Sequence, residues 1–257
     1  MCCRDRAGLL AEALPAVRAG LLPQDELVVV DSGSRDDAVR QVAEAAGARL
    51  VRCDLPGLSR ARNAGWRAAS APLVLFTDDD CRPLPGWVDA AVAALSAPGV
   101  GLVWGHVLAD ADGGVALSVS TDDGPASYDG TGDLSATGHG AAMAFRRSVL
   151  EQLGGFDVAL GAGGRYPAGE DKDAFWRAVR AGWQVRSAPG MAVTHVTWRP
   201  TTEALRTMYR YGVGAGAVSA KRGRLAGERG LVRGEVWRHG LLPAARSLRD
   251  GALPTAA

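Results

Sequence analysis

Cysteine is scarce in this chain. Its four residues, Cys2, Cys3, Cys53 and Cys81, show no zinc-type spacing among 257 positions. The chain starts with the polar stretch MCCRDRAG and shows no secretory signal, so these cysteines read as free thiols of a reducing compartment. No apolar run is long enough to cross a bilayer. No GxGxxG follows an early strand, which argues against a dinucleotide-dependent dehydrogenase. A glycine-rich phosphate loop with a nearby lysine is missing from the N-terminal region, and so are internal repeats. A cytoplasmic protein is therefore expected. Its length suits one large α/β domain, or such a domain with an appendage.

Net charge is also small, +1, but it is unevenly placed. From Val196 onward there are 11 Lys/Arg against 4 Asp/Glu, and the preceding part has 18 against 24. A basic C-terminal region suits an anionic partner such as a membrane surface, a phosphorylated acceptor or the chain's own acidic face. A solvated, arginine-rich helical surface explains it equally simply. Peripheral contact with the inner face of a membrane is one expectation; a nucleic-acid partner is not.

Hydrophobic periodicity divides the first eighty residues into alternating helices and strands with short connections. Cys2–Cys3 reads as the tail of a strand. Leu9, Leu10, Ala13, Leu14 and Val17 predict a helix over Ala7–Ala19, ended by Gly20 and Pro23. Glu26–Val30 is a strand, followed by a helix over Asp37–Ala46 that Ser34 or Asp36 can cap. Arg49–Arg52 is a strand, Ser59–Ala69 a helix, and Leu73–Phe76 a strand. This alternation implies a parallel sheet with right-handed crossovers.

Further on, Gly86–Leu95 is predicted helical and Val100–Val107 a strand. Asp110–Asp133 reads as a loop or short hairpin able to cover a site. Gly138–Phe145 is a small-residue strand or turn, and Arg147–Leu153 is a helix. Gly161–Gly169 is a glycine-rich loop before the helix Glu170–Ala181. Val185–Ser187 and Ala192–His195 are short strands. After Pro200 the chain is helical, with Leu205, Met208, Tyr209 and Val213 on one face, and Gly212–Gly216 is expected to interrupt it. The expected organisation is a domain over 1–200 and a basic helical extension over 201–257.

The stretch LVLFTDDDC, Leu73–Cys81, carries the chemistry. An apolar strand ends in three consecutive carboxylates, Asp78, Asp79 and Asp80. Like charges at a buried strand end repel one another and are costly to desolvate. A hard divalent cation removes that conflict, and Mg2+ or Mn2+ sites commonly combine carboxylates with substrate phosphates. Ligands of open α/β sheets sit beyond the carboxyl ends of the strands. A metal–diphosphate site is one reading of these residues. A solvated acidic turn or helix cap is the other, since Pro83 and Pro85 follow.

The order of motifs narrows the choice. VVVDSGS is followed by LSRARNAGWRAA, then FTDDDC, GGFD, GEDKDAFWRAVRAG and VTHV. Over roughly residues 2–200 this series resembles the family 2 glycosyltransferases, with their GT-A fold, an α/β Rossmann-like, mostly parallel sheet with flanking helices. The resemblance implies transfer of a sugar, with inversion, from a nucleotide-diphosphate donor to an acceptor hydroxyl. The acceptor class is a sugar, a lipid-linked glycan or a small molecule, and the donor is UDP-linked by family habit.

By that resemblance Asp31 holds the base or ribose, with Cys3 and Arg4 beside the donor. Arg62 and Asn63 lie under the nucleotide near the diphosphate, where a forked, permanent charge suits phosphate. Asp78, with Asp79 next to it, is nearer the ribose, and Asp80 contacts the metal. Glu170-Asp171 contains the general base, with Asp171 preferred, because an acceptor hydroxyl must lose its proton as it attacks. The helix N-terminus there favours an ionised carboxylate. His195 completes the metal site in some relatives; otherwise it is a packed or solvent-facing histidine. His139 is assigned to the acceptor or donor sugar. Trp176 is one of several tryptophans that include either a sugar-stacking platform or ordinary core. Arg177 reaches a phosphate or stays on the helix surface.

Two departures stand out. Relatives begin with a hydrophobic strand just before the position of Cys2, so the recorded start is expected to be late or this form impaired. No QxxRW-type element is present, which favours single transfer over processive synthesis. The competing readings are a nucleotidyltransferase on a related fold and a non-catalytic nucleotide-sugar-binding protein.

Overall fold

A computed structural model describes residues 1–110, 119–121, 126–131, 134–196 and 201–227, and within it the side chains of 201, 202 and 204 are left aside. The first unit is β1 (Cys2–Cys3), α1 (Ala7–Ala19), β2 (Val28–Asp31), α2 (Ala38–Ala45) and β3 (Arg49–Arg52). Its three strands are parallel in the order β1-β2-β3, with Cys2 opposite Val30 and Cys3 opposite Asp31. Leu10, Leu14, Val29, Val39 and Ala43 close a small core between sheet and helices.

Next come α3 (Leu58–Ala68) and β4 (Leu73–Phe76). A single parallel bridge joins Cys2 to Asp78, so β1 lies between β2 and the acidic run. Met1 also joins this seam, donating from its terminal ammonium to the Val28 carbonyl and accepting from the Val30 amide at 2.8 Å. Backbone groups on both sides of β1 thus find partners, which buried N–H and C=O groups require.

The remaining elements are β5 (Cys81–Pro83), α4 (Trp87–Ser96), β6 (Val100–Trp104), β7 (Val107–Ala109), β8 (Ser127–Tyr128), β9 (Met143–Arg146), α5 (Arg147–Leu153), α6 (Glu170–Arg180), β10 (Gln184–Ser187), β11 (Val193–His195) and α7 (Thr201–Ala226). A mixed five-stranded sheet has the order β4-β9-β6-β10-β8, and β5-β11-β7 forms a small third sheet. In the larger sheet β9 runs antiparallel to both β4 and β6, whereas β10 is parallel to β6. Phe76, Phe145 and Phe156 meet edge to face on one side, with centroids 5.3–5.8 Å apart. Trp87, Ala91, Leu95, Val103 and Met191 fill the other side.

Three departures from the expected element pattern bear on packing near the site. The strand expected over Glu26–Val30 is Val28–Asp31, one residue further toward the site. The strand expected over Val100–Val107 is two strands, β6 and β7, parted at Gly105-His106. A Cβ at Gly105 would sit 1.6 Å from the Met191 carbonyl, so only glycine lets the chain cross there. Val107 then starts afresh, beside β11.

The glycines of 212–216 do not interrupt the last helix, which runs unbroken for 26 residues. A Cβ at Gly214 would lie 2.5 Å from the Ala168 carbonyl, so a glycine here brings the helix onto the loop before α6. The packing gained offsets the helix propensity lost. Val218 joins the main core, and the Lys221 ammonium bridges Asp157 and Asp173, 2.7 Å from each. Residues 228–257 of the expected basic extension lie outside the described residues. So does most of the expected covering loop, at 111–118, 122–125 and 132–133.

Candidate active site

A cleft of about 1210 Å³ opens where the carboxyl ends of β1, β2 and β4 meet the start of α6 and the middle of α7. Cys3, Arg4, Arg6, Arg62, Asp78, Asp80, His139, Glu170, Asp171 and His195 all line it. The parallel strands end on this side, as the crevice rule for open α/β sheets requires.

Arg62 is the floor. Its side chain is 2 % exposed and reaches three acceptors. Nη1 donates to Glu170 Oε1 at 2.6 Å, and Nη2 donates to Asp78 Oδ1 and to the Gly140 carbonyl, both at 3.2 Å. Burial opposes its charge, but Asp78 and Glu170 more than offset this, and its pKa rises above the usual value. One guanidinium therefore ties the acidic run after β4 to the acidic start of α6.

Three carboxylates stand in the first turn of α6: Glu170, Asp171 and Asp173. Burial pushes the Glu170 carboxyl up, with Arg62 opposing. Asp171 is pushed up by burial too, but Lys172, His139 and Arg62 win, and it is held below the usual carboxylate range. Its Oδ2 accepts the Gly140 N–H at 2.8 Å, and Oδ1 accepts the Lys172 N–H at 2.7 Å. The Lys172 ammonium donates to the carbonyls of Thr137 and Gly138, each at 2.7 Å, and so fixes the strap that carries His139. Burial, followed by the Lys172 charge, lowers His139 to about 4, so its imidazole is neutral near pH 7.

The acidic run separates into three environments. Asp78 is partly exposed and faces Arg62. Asp79 is wholly buried and accepts from Arg6 Nη2. Burial, reinforced by Asp80 and Asp78, raises its pKa to about 6 against the pull of Arg6. Asp80 accepts from Arg6 Nη1 at 3.1 Å on Oδ2, and its Oδ1 lies 3.6 Å from His195 Nε2. Asp80, Cys81 and His195 offer ligand atoms within 4.8 Å of one another, the one such metal-capable group among the described residues. Desolvation holds the Cys81 thiol well above its ordinary pKa, and beside it stand a carboxylate oxygen and an imidazole nitrogen. That donor set fits Mn2+ chemistry.

Several expected residues are placed differently. Asn63 turns away from the cleft. Its amide clamps the Gly155-Phe156 turn, donating to the Phe156 carbonyl and accepting the Phe156 N–H, both at 2.8 Å. Trp176 is 2 % exposed, in the main core beside Phe175, so it is no sugar platform. On α6 the cleft is met by the first turn, whereas Trp176 projects into the apolar interior. Arg177 is likewise spent on Asp173 and on the carbonyls of Leu153 and Gly155. Trp66, Trp87 and Trp104 are core residues, and Trp198 lies outside the described residues.

Asp31 stays at the end of β2, buried, with its carboxylate taken by Arg52 and by the Ser34 N–H at 2.9 Å. Cys3 is buried at the cleft wall, its thiol raised by desolvation, and Arg4 is exposed at the rim. Arg6 went unnoticed in the sequence, although an arginine just before a helix on the strand-end side was a usable signal. Also missed were Met208, Tyr209 and Tyr211, which bring α7 to the cleft.

Strand order, cleft position and paired acidic clusters define a sugar-nucleotide-type α/β transferase fold. The glycosyl transferase family 2 model matches residues 1–154, and the chain belongs to that family as a glycosyltransferase with the GT-A fold. It is 29 % identical over 228 residues to glycosyltransferase AglE of Haloferax volcanii, covering 82 % of this chain and 69 % of that one. It is 30 % identical over 149 residues to the pre-mycofactocin glycosyltransferase of Mycobacterium tuberculosis, but that match covers only 30 % of the relative. Among solved structures, the mannosyltransferase PcManGT of Pyrobaculum calidifontis, in complex with GDP-Man and Mn2+, superposes with a TM-score of 0.67. That match has 24 % identity and covers 100 % of this chain and 74 % of that one. S. aureus TarS with UDP gives 0.61 at 15 % identity, covering 85 % and 63 %. Among the described residues no helix is long and apolar enough to cross a membrane.

Proposed function

We propose that this glycosyltransferase moves a single sugar, with inversion, from a nucleotide-diphosphate donor to an acceptor hydroxyl with the help of a divalent metal. The observation that carries the reading is Arg62, which joins the Asp78 carboxylate to the Glu170-Asp171 pair across one cleft. Donor diphosphate and acceptor hydroxyl need separate carboxylate clusters held at a fixed spacing, and this guanidinium supplies the tie.

Asp171 is the general base in this reading. It is ionised at neutral pH, lies on the cleft wall and is oriented by two backbone N–H groups. Glu170, tied to Arg62, positions it and helps to hold the acceptor. Asp80 and His195 are the residues that would hold the metal, which when bound offsets the charge growing on the leaving diphosphate. Asp78 and the Cys3–Arg4 segment face the nucleotide, and Asp31, at the end of β2, orders the neighbouring Arg52 and Ser34.

For the donor we keep UDP, in line with the UDP and UDP-GlcNAc complexes of TarS, with GDP as the competitor suggested by PcManGT. Single transfer rests on the missing QxxRW-type element. The acceptor meets α7, where Met208, Tyr209 and Tyr211 give the cleft an apolar and aromatic wall beside the exposed Arg206 and Arg210. That wall suits a lipid-linked or aromatic acceptor and peripheral membrane contact.

Titration calorimetry with UDP and GDP, each with and without Mn2+, tests the reading. One nucleotide should bind with metal dependence, and Asp80→Ala should abolish that dependence. Unchanged metal-dependent affinity in Asp80→Ala would remove Asp80 from the metal site.

A further inference from the structure

Arg6 lies between α1 and the acidic run, and the proposed chemistry does not use it. It is the residue just before α1, yet its side chain spans the sequence to Asp79 and Asp80. Its side chain is 29 % exposed and lines the cleft, whereas its partners are 0 % and 4 % exposed. Arg6, Arg62 and Lys172 stand among the cations that line this cleft. Arg62 is committed to Asp78 and Glu170, and Lys172 to the carbonyls of the His139 strap. Arg6 alone of the three pairs with the carboxylate that faces His195.

We propose that Arg6 is the resident counter-cation of the metal carboxylate: a divalent metal on the His195-facing Oδ1 of Asp80 would repel Nη1 from Oδ2, and the freed donor would then take up the donor diphosphate. The inference rests on the metal-assisted reading above. Arg6 Nη1 holds Asp80 Oδ2 while Oδ1 faces His195, so a metal on Oδ1 would stand across one carboxylate from the guanidinium and the two like charges would repel. Arg6 does not need to leave the site, because Nη2 keeps its hold on buried Asp79 while Nη1 swings toward the cleft. Arginine suits this double duty, since its forked donors match both a carboxylate and a phosphate.

Metal binding alone therefore works against Arg6, and metal binding with the nucleotide is helped by it. The two ligands bind cooperatively, each raising the affinity of the other by the same factor. Removing Arg6 reverses the balance: the metal alone binds more tightly and the cooperativity falls.

The test reads free and bound Mn2+ by electron paramagnetic resonance on the full chain, with and without UDP or GDP, and needs no turnover. In the wild type Mn2+ alone should bind weakly, and nucleotide should tighten it about 10-fold or more. In Arg6→Gln, Mn2+ alone should bind about 10-fold more tightly, and the nucleotide effect should shrink to within about 3-fold. Because Asp79 is buried, the double variant Arg6→Gln/Asp79→Asn is measured beside it, with circular dichroism as the check on folding; it should show the same gain. Unchanged or weaker Mn2+ binding in a folded variant, with cooperativity kept, would overturn the role of Arg6. No Mn2+ binding by the wild type, even with nucleotide, would instead overturn the metal-site reading and take this inference with it.

Discussion

The floor and the rim of the cleft each use an arginine against acidic residues, and they use it differently. At the floor Arg62 is sealed from water and its donors are spent on Asp78, Glu170 and the Gly140 carbonyl. At the rim Arg6 is partly open and shares one carboxylate with a histidine. A sealed, multiply bonded charge costs several kcal/mol to unpair, so it serves as architecture. A partly hydrated guanidinium loses less on changing partners than a sealed one, so it serves binding. The same residue type acquires two jobs from its surroundings.

The carboxylates follow the same division. Asp171, oriented from the floor side, is held ionised, while Asp79, under the rim, is pushed toward neutrality. Environments that drive neighbouring groups apart in this way assign roles to chemically similar side chains.

The largest effect should come from the base. Asp171→Asn is expected to lower the transfer rate about 10²–10⁴-fold. Nucleotide affinity should stay near the wild-type value in calorimetry, and loss of that affinity in a folded variant would place Asp171 with the donor instead. Next comes the floor arginine. Arg62→Ala leaves Glu170 and Asp78 without their partner and should cost ~3–5 kcal/mol in urea denaturation. A loss below about 1 kcal/mol would erase the contrast between floor and rim.

The smallest effect concerns pH. The folded-state pKa of Asp79 is about 6, above its ordinary 3.8, so the native state holds this proton more tightly than the unfolded chain does. Its contribution to stability is fully present below about pH 4 and declines as pH rises through 6, by ~2–3 kcal/mol. Denaturation curves between pH 4 and 7 should show this slope in the wild type and lose it in Asp79→Asn. Parallel pH dependences for the two proteins would refute the assignment.

Much of the frame could be read directly. The helix over Ala7–Ala19 and the strands over Arg49–Arg52 and Leu73–Phe76 fall where apolar spacing puts them. Local pattern and local structure agree there, and α1 and β4 each bury one face. Long-range packing made the exceptions. Gly105 breaks a strand because Met191, distant in sequence, crosses it, and Gly214 sits within a helix because Ala168 presses on it. Neither neighbour leaves a trace in the adjacent residues.

The sequence by itself determined which chemistry is present: an ordered set of carboxylates and arginines at strand and helix ends. Tertiary structure alone decided their partners. Asn63 and Trp176 bear motif-like positions, yet backbone clamping and core packing claim them. Arg6 bears no motif, yet it meets Asp79 and Asp80 across more than seventy residues. Residue type and spacing set what a side chain is able to do. Only the folded chain sets which desolvated charge lies within hydrogen-bond reach, and electrostatic energy depends steeply on that distance and burial.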